Sequence, residues 1–99
     1  MKVYADMLLE GKTVEFRPSG NSMNPYIKSK QLVRLEPIED KYSLKEWDIV
    51  LAKVNGRYLL HFIKAIKLHQ DGLTFQIANA SGFINGWTQN VFGIVTRTY

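Results

Sequence analysis

The sequence predicts a mainly β domain with a single short helix at its N-terminus. Three observations carry that expectation. Most apolar residues fall in short runs of alternating or continuous hydrophobicity. Those runs are separated by tight-turn signals, of which Asn55-Gly56 is the strongest. Helical periodicity occurs only near the start of the chain. At 99 residues, one domain spanning residues 1–99 is expected, with no linker, repeat or low-complexity tract.

Val3 to Glu10 reads as an amphipathic helix, with Val3, Met7 and Leu8 able to share a face and Gly11 able to end it. Thr13 to Arg17 alternates as a strand, and Pro18-Ser19-Gly20-Asn21 forms a turn cluster. Gln31 to Pro37 is a strand with one wet face. Ile38 to Trp47 is polar and reads as a loop holding at most a helical turn. Asp48 to Val54 and Arg57 to Leu68 form a hairpin about Asn55-Gly56. Gln70-Asp71-Gly72 is a second turn, and Leu73 to Ala78 a further strand. Asn79 to Gly86, rich in Asn, Gly and Ser, reads as a loop, and Val91 to Tyr99 closes the chain as a strand. About six strands result.

Composition excludes several chemistries. There is no cysteine, so disulfides, thiolate metal sites and a cysteine nucleophile are ruled out. Neither a metal nor another cofactor is expected, and the lack of cysteine fits a cytoplasmic location. The first residues do not form a secretory signal, and no run approaches the roughly 18 apolar residues of a membrane span. Net charge is +4, but Lys and Arg are scattered, with acids between them from Glu36 to Asp48. Nucleic acid is therefore not an expected direct partner. Trp47 and Trp87 read as half-buried caps over the core; together on an exposed patch they would mark a binding surface.

One segment stands out chemically: Gly20-Asn21-Ser22-Met23-Asn24-Pro25. It displays a serine on a turn between strands. Gly20 frees the backbone, Pro25 fixes the exit, and nearby N–H groups can face a developing oxyanion. A serine in such a turn is most often only a turn residue. To act as a nucleophile it needs a base. His61 lies within the apolar run Tyr58 to Ile63, where burial would keep its imidazole neutral. A core-edge histidine bonded to a backbone carbonyl is the plainer reading. His69 borders a turn and reads as exposed. Lys64 is on the opposite strand face from His61, and Lys53, on the partner strand, reads as a surface charge.

The order of these blocks resembles the superfamily of LexA, phage repressors and signal peptidases. The matching pieces are Gly20 to Pro25, Gln31-Leu32-Val33, Trp47-Asp48-Ile49-Val50 and Asn55 to His61, and the resemblance runs from about Thr13 to Tyr99. It implies a curled, partly open β barrel and a serine peptidase lacking the usual His-Asp pair. LexA-like and bacterial signal peptidases use a Ser–Lys dyad; eukaryotic-type and archaeal signal peptidases carry His at the Lys position, where His61 falls. The resemblance thus assigns Ser22 as nucleophile and His61 as base. It makes Gly20, Asn21 and Met23 the oxyanion and turn residues, with Met23 packed beneath. Orienting candidates are Asn79, Asn85 and Asp48.

The chain departs from the pattern at three places. The first Gly-Asp pair is Lys30-Gln31, the glycine of the second is Trp47, and the loop that supplies an acid in His-type relatives holds only Asn. An Asn orients an imidazole but stabilises imidazolium less than a carboxylate does. No Ala-Gly cleavage site and no membrane anchor are present, so a stand-alone, phage-type core acting on a peptide in trans is expected. The alternative is a degenerate member that serves as a regulatory binding module. It would pair with a host protein or with a second copy through β edges.

Overall fold

The computed structural model describes residues 1–99. The chain forms helix α1 (Lys2–Leu9) and strands β1 (Val14–Phe16), β2 (Val33–Pro37), β3 (Ile49–Val54), β4 (Arg57–His69), β5 (Gly72–Ala78), β6 (Ile84–Thr88) and β7 (Val91–Thr98), with one 3-10 turn at Lys41–Ser43. All strands join one antiparallel sheet, in the order β1-β2-β7-β3-β4-β5-β6. The architecture is mainly β with one short helix. No helix is long and apolar enough to cross a membrane.

β3 explains why the sheet has a core on both faces. Successive strand residues point to opposite sides. Leu51 enters one apolar cluster with Val33, Leu35, Leu60 and Phe62, while Val50, Ala52 and Val54 enter the other with Ile63, Phe75 and Ile77. Burial on both faces is why Ile49 to Ala52 reads as a continuous apolar run instead of an alternating one. Each fully buried Leu, such as Leu35 or Leu51, contributes about 1.5–3 kcal/mol relative to exposure.

The helix covers the first cluster through Ala5 and Leu8, both buried. It ends at Gly11, whose φ of 84° lies in the left-handed region that glycine tolerates. Gly93 on β7 makes the docking close. A Cβ there would stand 2.7 Å from a Leu8 methyl and 3.1 Å from the Glu36 carbonyl oxygen.

The Asn55-Gly56 hairpin has both residues at positive φ, 49° and 79°, as a two-residue hairpin turn requires. β4 then changes partner along its length. Arg57 to Phe62 pair with β3, whereas pairing with β5 begins only at Phe62 and runs to His69. At the handover a bulge between Ile63 and Ala65 leaves Lys64 unpaired.

The segment Asn79 to Gly86, expected to be a loop throughout, is a loop only over its first part. Ile84–Thr88 is a seventh strand paired with β5. Its alternation is weak because Gly86 sits where a side chain would be crowded and strained. A Cβ there would lie 3.2 Å from Val54 Cγ1, and φ is 138°. That close approach lets the sheet curl, bringing β6 over the β3–β4 hairpin. Thr88 Oγ1 donates to the Lys53 carbonyl at 2.7 Å. Trp47 and Trp87, expected as half-buried caps, are instead 62% and 39% exposed. The other predicted boundaries agree to within a residue or two, and the polar stretch before β3 does hold a helical turn.

Candidate active site

The site sits where β4 changes partner. β1 ends at Phe16, and the chain turns through Pro18 to Asn21 into a compact turn over Ser22–Tyr26. Gly20 adopts φ of 107°, and its N–H donates to Ser29 Oγ at 3.1 Å. The Asn21 carbonyl accepts from Asn24 N, and the Met23 carbonyl from Ile27 N. Met23 and Ile27 are buried in the helix-side cluster and anchor the turn from below, while Ser22 above them is exposed. Ser22 is held from a second side as well, since its carbonyl accepts from Ala80 N at 2.9 Å. Its own N–H donates to no other group of the chain.

Ser22 Oγ lies 3.0 Å from His61 Nε2. On the far side of the ring, His61 Nδ1 lies 2.7 Å from Asn85 Oδ1. Because a carbonyl oxygen only accepts, Nδ1 carries the hydrogen and Nε2 is left with its lone pair toward the serine hydroxyl. His61 is 6% exposed. Burial pushes its pKa below the ordinary imidazole value; the bond to Asn85 opposes that shift, and the charge of Arg57 adds to it. The imidazole is thus held neutral, oriented and able to take a proton from Ser22.

Of the three orienting candidates, only Asn85 reaches the imidazole. Asn79 Oδ1 accepts instead from Ser81 N, Ser81 Oγ and Phe83 N, closing the turn into β6. Asp48 Oδ2 accepts from Lys45 N at 2.9 Å and organises the entry to β3. The selection follows from the curl of the sheet: β6 crosses above the hairpin and carries Asn85 to the His61 ring, whereas the other two groups are used in local turns. His69 is exposed at the end of β4, and Lys53 Nζ sits 5.3 Å from the Tyr58 ring centroid. Neither is placed with Ser22.

A cleft of about 210 Å³ opens beside the pair, bounded by Pro18, Ser19, Gly20 and Ser22 on one side and Tyr58 to His61 on the other. In the two-residue hairpin, Val54 faces Arg57 as a hydrogen-bonded pair, and such pairs alternate along β4. The main-chain groups of Tyr58 and Leu60 therefore face away from β3, into the stretch that β5 does not cover. An extended peptide can pair with that edge.

Three features of the region lie outside the expectations from sequence. These are the strand character of β6, the Ala80 N–H bond to the Ser22 carbonyl, and the left-handed backbone at Lys30 and Trp47, with φ of 64° and 73°. The last has a trace in the sequence, since both stand where the resemblance expects glycine. No protein-family model, curated protein or solved structure matches the chain.

Proposed function

We propose that the chain is a serine peptidase of the LexA and signal peptidase type, with Ser22 as nucleophile and His61 as base, acting in trans on an extended peptide. The observation that carries this reading is the continuous hydrogen-bonded line Ser22 Oγ, His61 Nε2, His61 Nδ1, Asn85 Oδ1, at 3.0 and 2.7 Å. In a structural role, a buried histidine has no need of an exposed serine hydroxyl as partner. Family membership draws further support from the backbone at Lys30 and Trp47. Both hold positive φ, so the shape that glycine serves is kept although glycine is not.

The reaction follows from the geometry. Ser22 Oγ attacks the carbonyl carbon of a peptide paired along Tyr58 and Leu60, and its proton passes to His61 Nε2. The developing oxyanion is met by the unpaired Ser22 N–H. Imidazolium returns the proton to the leaving amine, the C–N bond breaks, and an acyl ester remains on Ser22. Water then attacks the ester, giving a proton to His61; the bond from the acyl carbon to Ser22 Oγ breaks, Oγ takes that proton back, and the carboxylic acid product leaves. The acyl side of the substrate lies in the cleft beside Leu59, Leu60 and Met23. A fluorophosphonate probe tests this reading. Wild-type protein is labelled at Ser22, and His61→Ala is not; equal labelling of the two removes the dyad.

One observation favours a second reading, a binding module without turnover: Asn85 stands where a carboxylate would stabilise imidazolium better. On that reading the uncovered edge of β4 captures a peptide, a host protein or a second copy by strand addition, and Ser22→Ala retains full binding and full biological effect.

A further inference from the structure

The turn carrying Ser22 has a second hollow on its other side. Tyr26, four residues after Ser22, is 58% exposed, and its ring meets Phe62 edge-on at 5.1 Å. Phe62 directly follows His61. Trp47, 62% exposed, meets the same Phe62 ring edge-on at 5.8 Å. Phe62 thus forms a floor between two aromatic walls, and the turn around Ala80 closes one end of a groove of about 420 Å³. The Ala80 N–H that binds the Ser22 carbonyl ties the two hollows together.

Two features show that this groove is not an incidental gap. Trp47 holds φ of 73°, a conformation that bulky side chains resist. It is kept there by its N–H bond to the Ile63 carbonyl at 2.7 Å and by the Ile63 N–H bond to the Asp48 carbonyl at 2.8 Å. Glycine would suit that backbone better, so the indole is present against local preference, and most of it is exposed. Strain of this kind concentrates at ligand sites. The second feature is the bulge at Lys64, which takes that residue out of the β4–β5 ladder. Bulges re-aim side chains next to functional sites, and Lys64 is the charged residue lining the groove.

We infer that the Tyr26–Phe62–Trp47 groove is the subsite for the leaving-group side of the substrate, selecting a peptide with an aromatic or large apolar side chain just beyond the scissile bond. This deepens the peptidase reading and rests on it for the direction of the chain. With the acyl side in the first cleft and the reacting carbonyl over Ser22, the peptide leaves past His61 toward its neighbour Phe62. An aromatic side chain inserted there stacks against two walls and a floor. Lys64 favours a carboxylate following that side chain.

The test uses a positional-scanning octapeptide library, read for binding to Ser22→Ala protein and for cleavage by wild type. The expected result is one position that favours Phe, Tyr, Trp or Leu over Ala by about tenfold or more. Trp47→Gly in the same background should keep the fold, because glycine relieves the positive φ. It should flatten selection at that position alone and leave selection in the first cleft intact. Tyr26→Ala serves as the second variant and should reduce the same preference. Absence of aromatic selection, or selection that both variants leave unchanged, overturns the subsite. The peptidase reading fails separately: if Ser22→Ala shows the Trp47-dependent preference but wild type cleaves none of the selected peptides, the groove stands as a binding site and the chemistry falls.

Discussion

Replacing Asn85 with Asp isolates the weakest element of the catalytic line. The change swaps a neutral acceptor for a carboxylate of the same shape, with Oδ1 already 2.7 Å from His61 Nδ1. With both charges delocalised, their centres would be about 4 Å apart, worth about 4 kcal/mol at an effective dielectric of 20. Asn85 is half-buried, so solvent reduces this, and about 1–3 kcal/mol of extra imidazolium stabilisation remains. If proton transfer to His61 accompanies attack by Ser22, most of that gain reaches the transition state. The labelling rate at Ser22 then rises about tenfold to a hundredfold. The assay is the second-order rate constant for a fluorophosphonate, paired with an NMR titration of the His61 ring. The titration should move to higher pH as the rate rises. A variant whose His61 titration moves while its labelling rate stays at the wild-type value would refute the proposed role of the imidazole.

Further outcomes are expected. Because the folded His61 pKa is depressed, the neutral base persists below the ordinary imidazole range, and labelling should hold at pH values where an exposed histidine has already protonated. The same depression couples to stability. Between the folded value and the unfolded value near 6.5 the unfolded chain binds more protons, so stability is full above about pH 6.5 and declines as pH falls toward the folded pKa. Urea unfolding at about pH 5 and pH 7.5 should show a decline that His61→Gln reduces. Gly86→Ala forces a methyl 3.2 Å from Val54 Cγ1 at a φ of 138°. It should cost about 1–3 kcal/mol in urea unfolding and slow labelling of the folded protein by shifting Asn85. Met23→Ala, which empties a site 4% exposed beneath the nucleophile turn, should cost about 2–5 kcal/mol on the same measurement.

The strands were readable because local pattern and tertiary packing agree in them. TVEFR alternates and is buried on one side at Val14 and Phe16, and Asn55-Gly56 turns as its residue types demand. A turn serine and a histidine in an apolar strand are likewise visible locally, but taken alone each has a plainer structural reading, and it is the resemblance that pairs Ser22 with His61. What could not be read depends on the curl of the sheet. Nothing local distinguishes Asn79 from Asn85 as the imidazole's partner; the choice is made by Gly86, whose missing side chain lets β6 cross the hairpin. The same glycine weakens the alternation of Ile84–Thr88 and hid that strand. Trp47 misled in the opposite direction. Its size suggests a core cap, yet the left-handed backbone turns it outward, held by main-chain bonds from Trp47 and Asp48 to Ile63 and by the edge-on contact with Phe62.

The central chemical claim is that Ser22 forms an acyl ester with the help of His61. Turnover of an activated ester by wild-type protein, followed beside Ser22→Ala and His61→Ala prepared identically, measures this directly. Mass spectrometry of the quenched reaction locates the acyl group. Turnover and a Ser22 adduct are expected in wild type alone. Equal turnover in all three proteins, or an adduct on any residue other than Ser22, would contradict it.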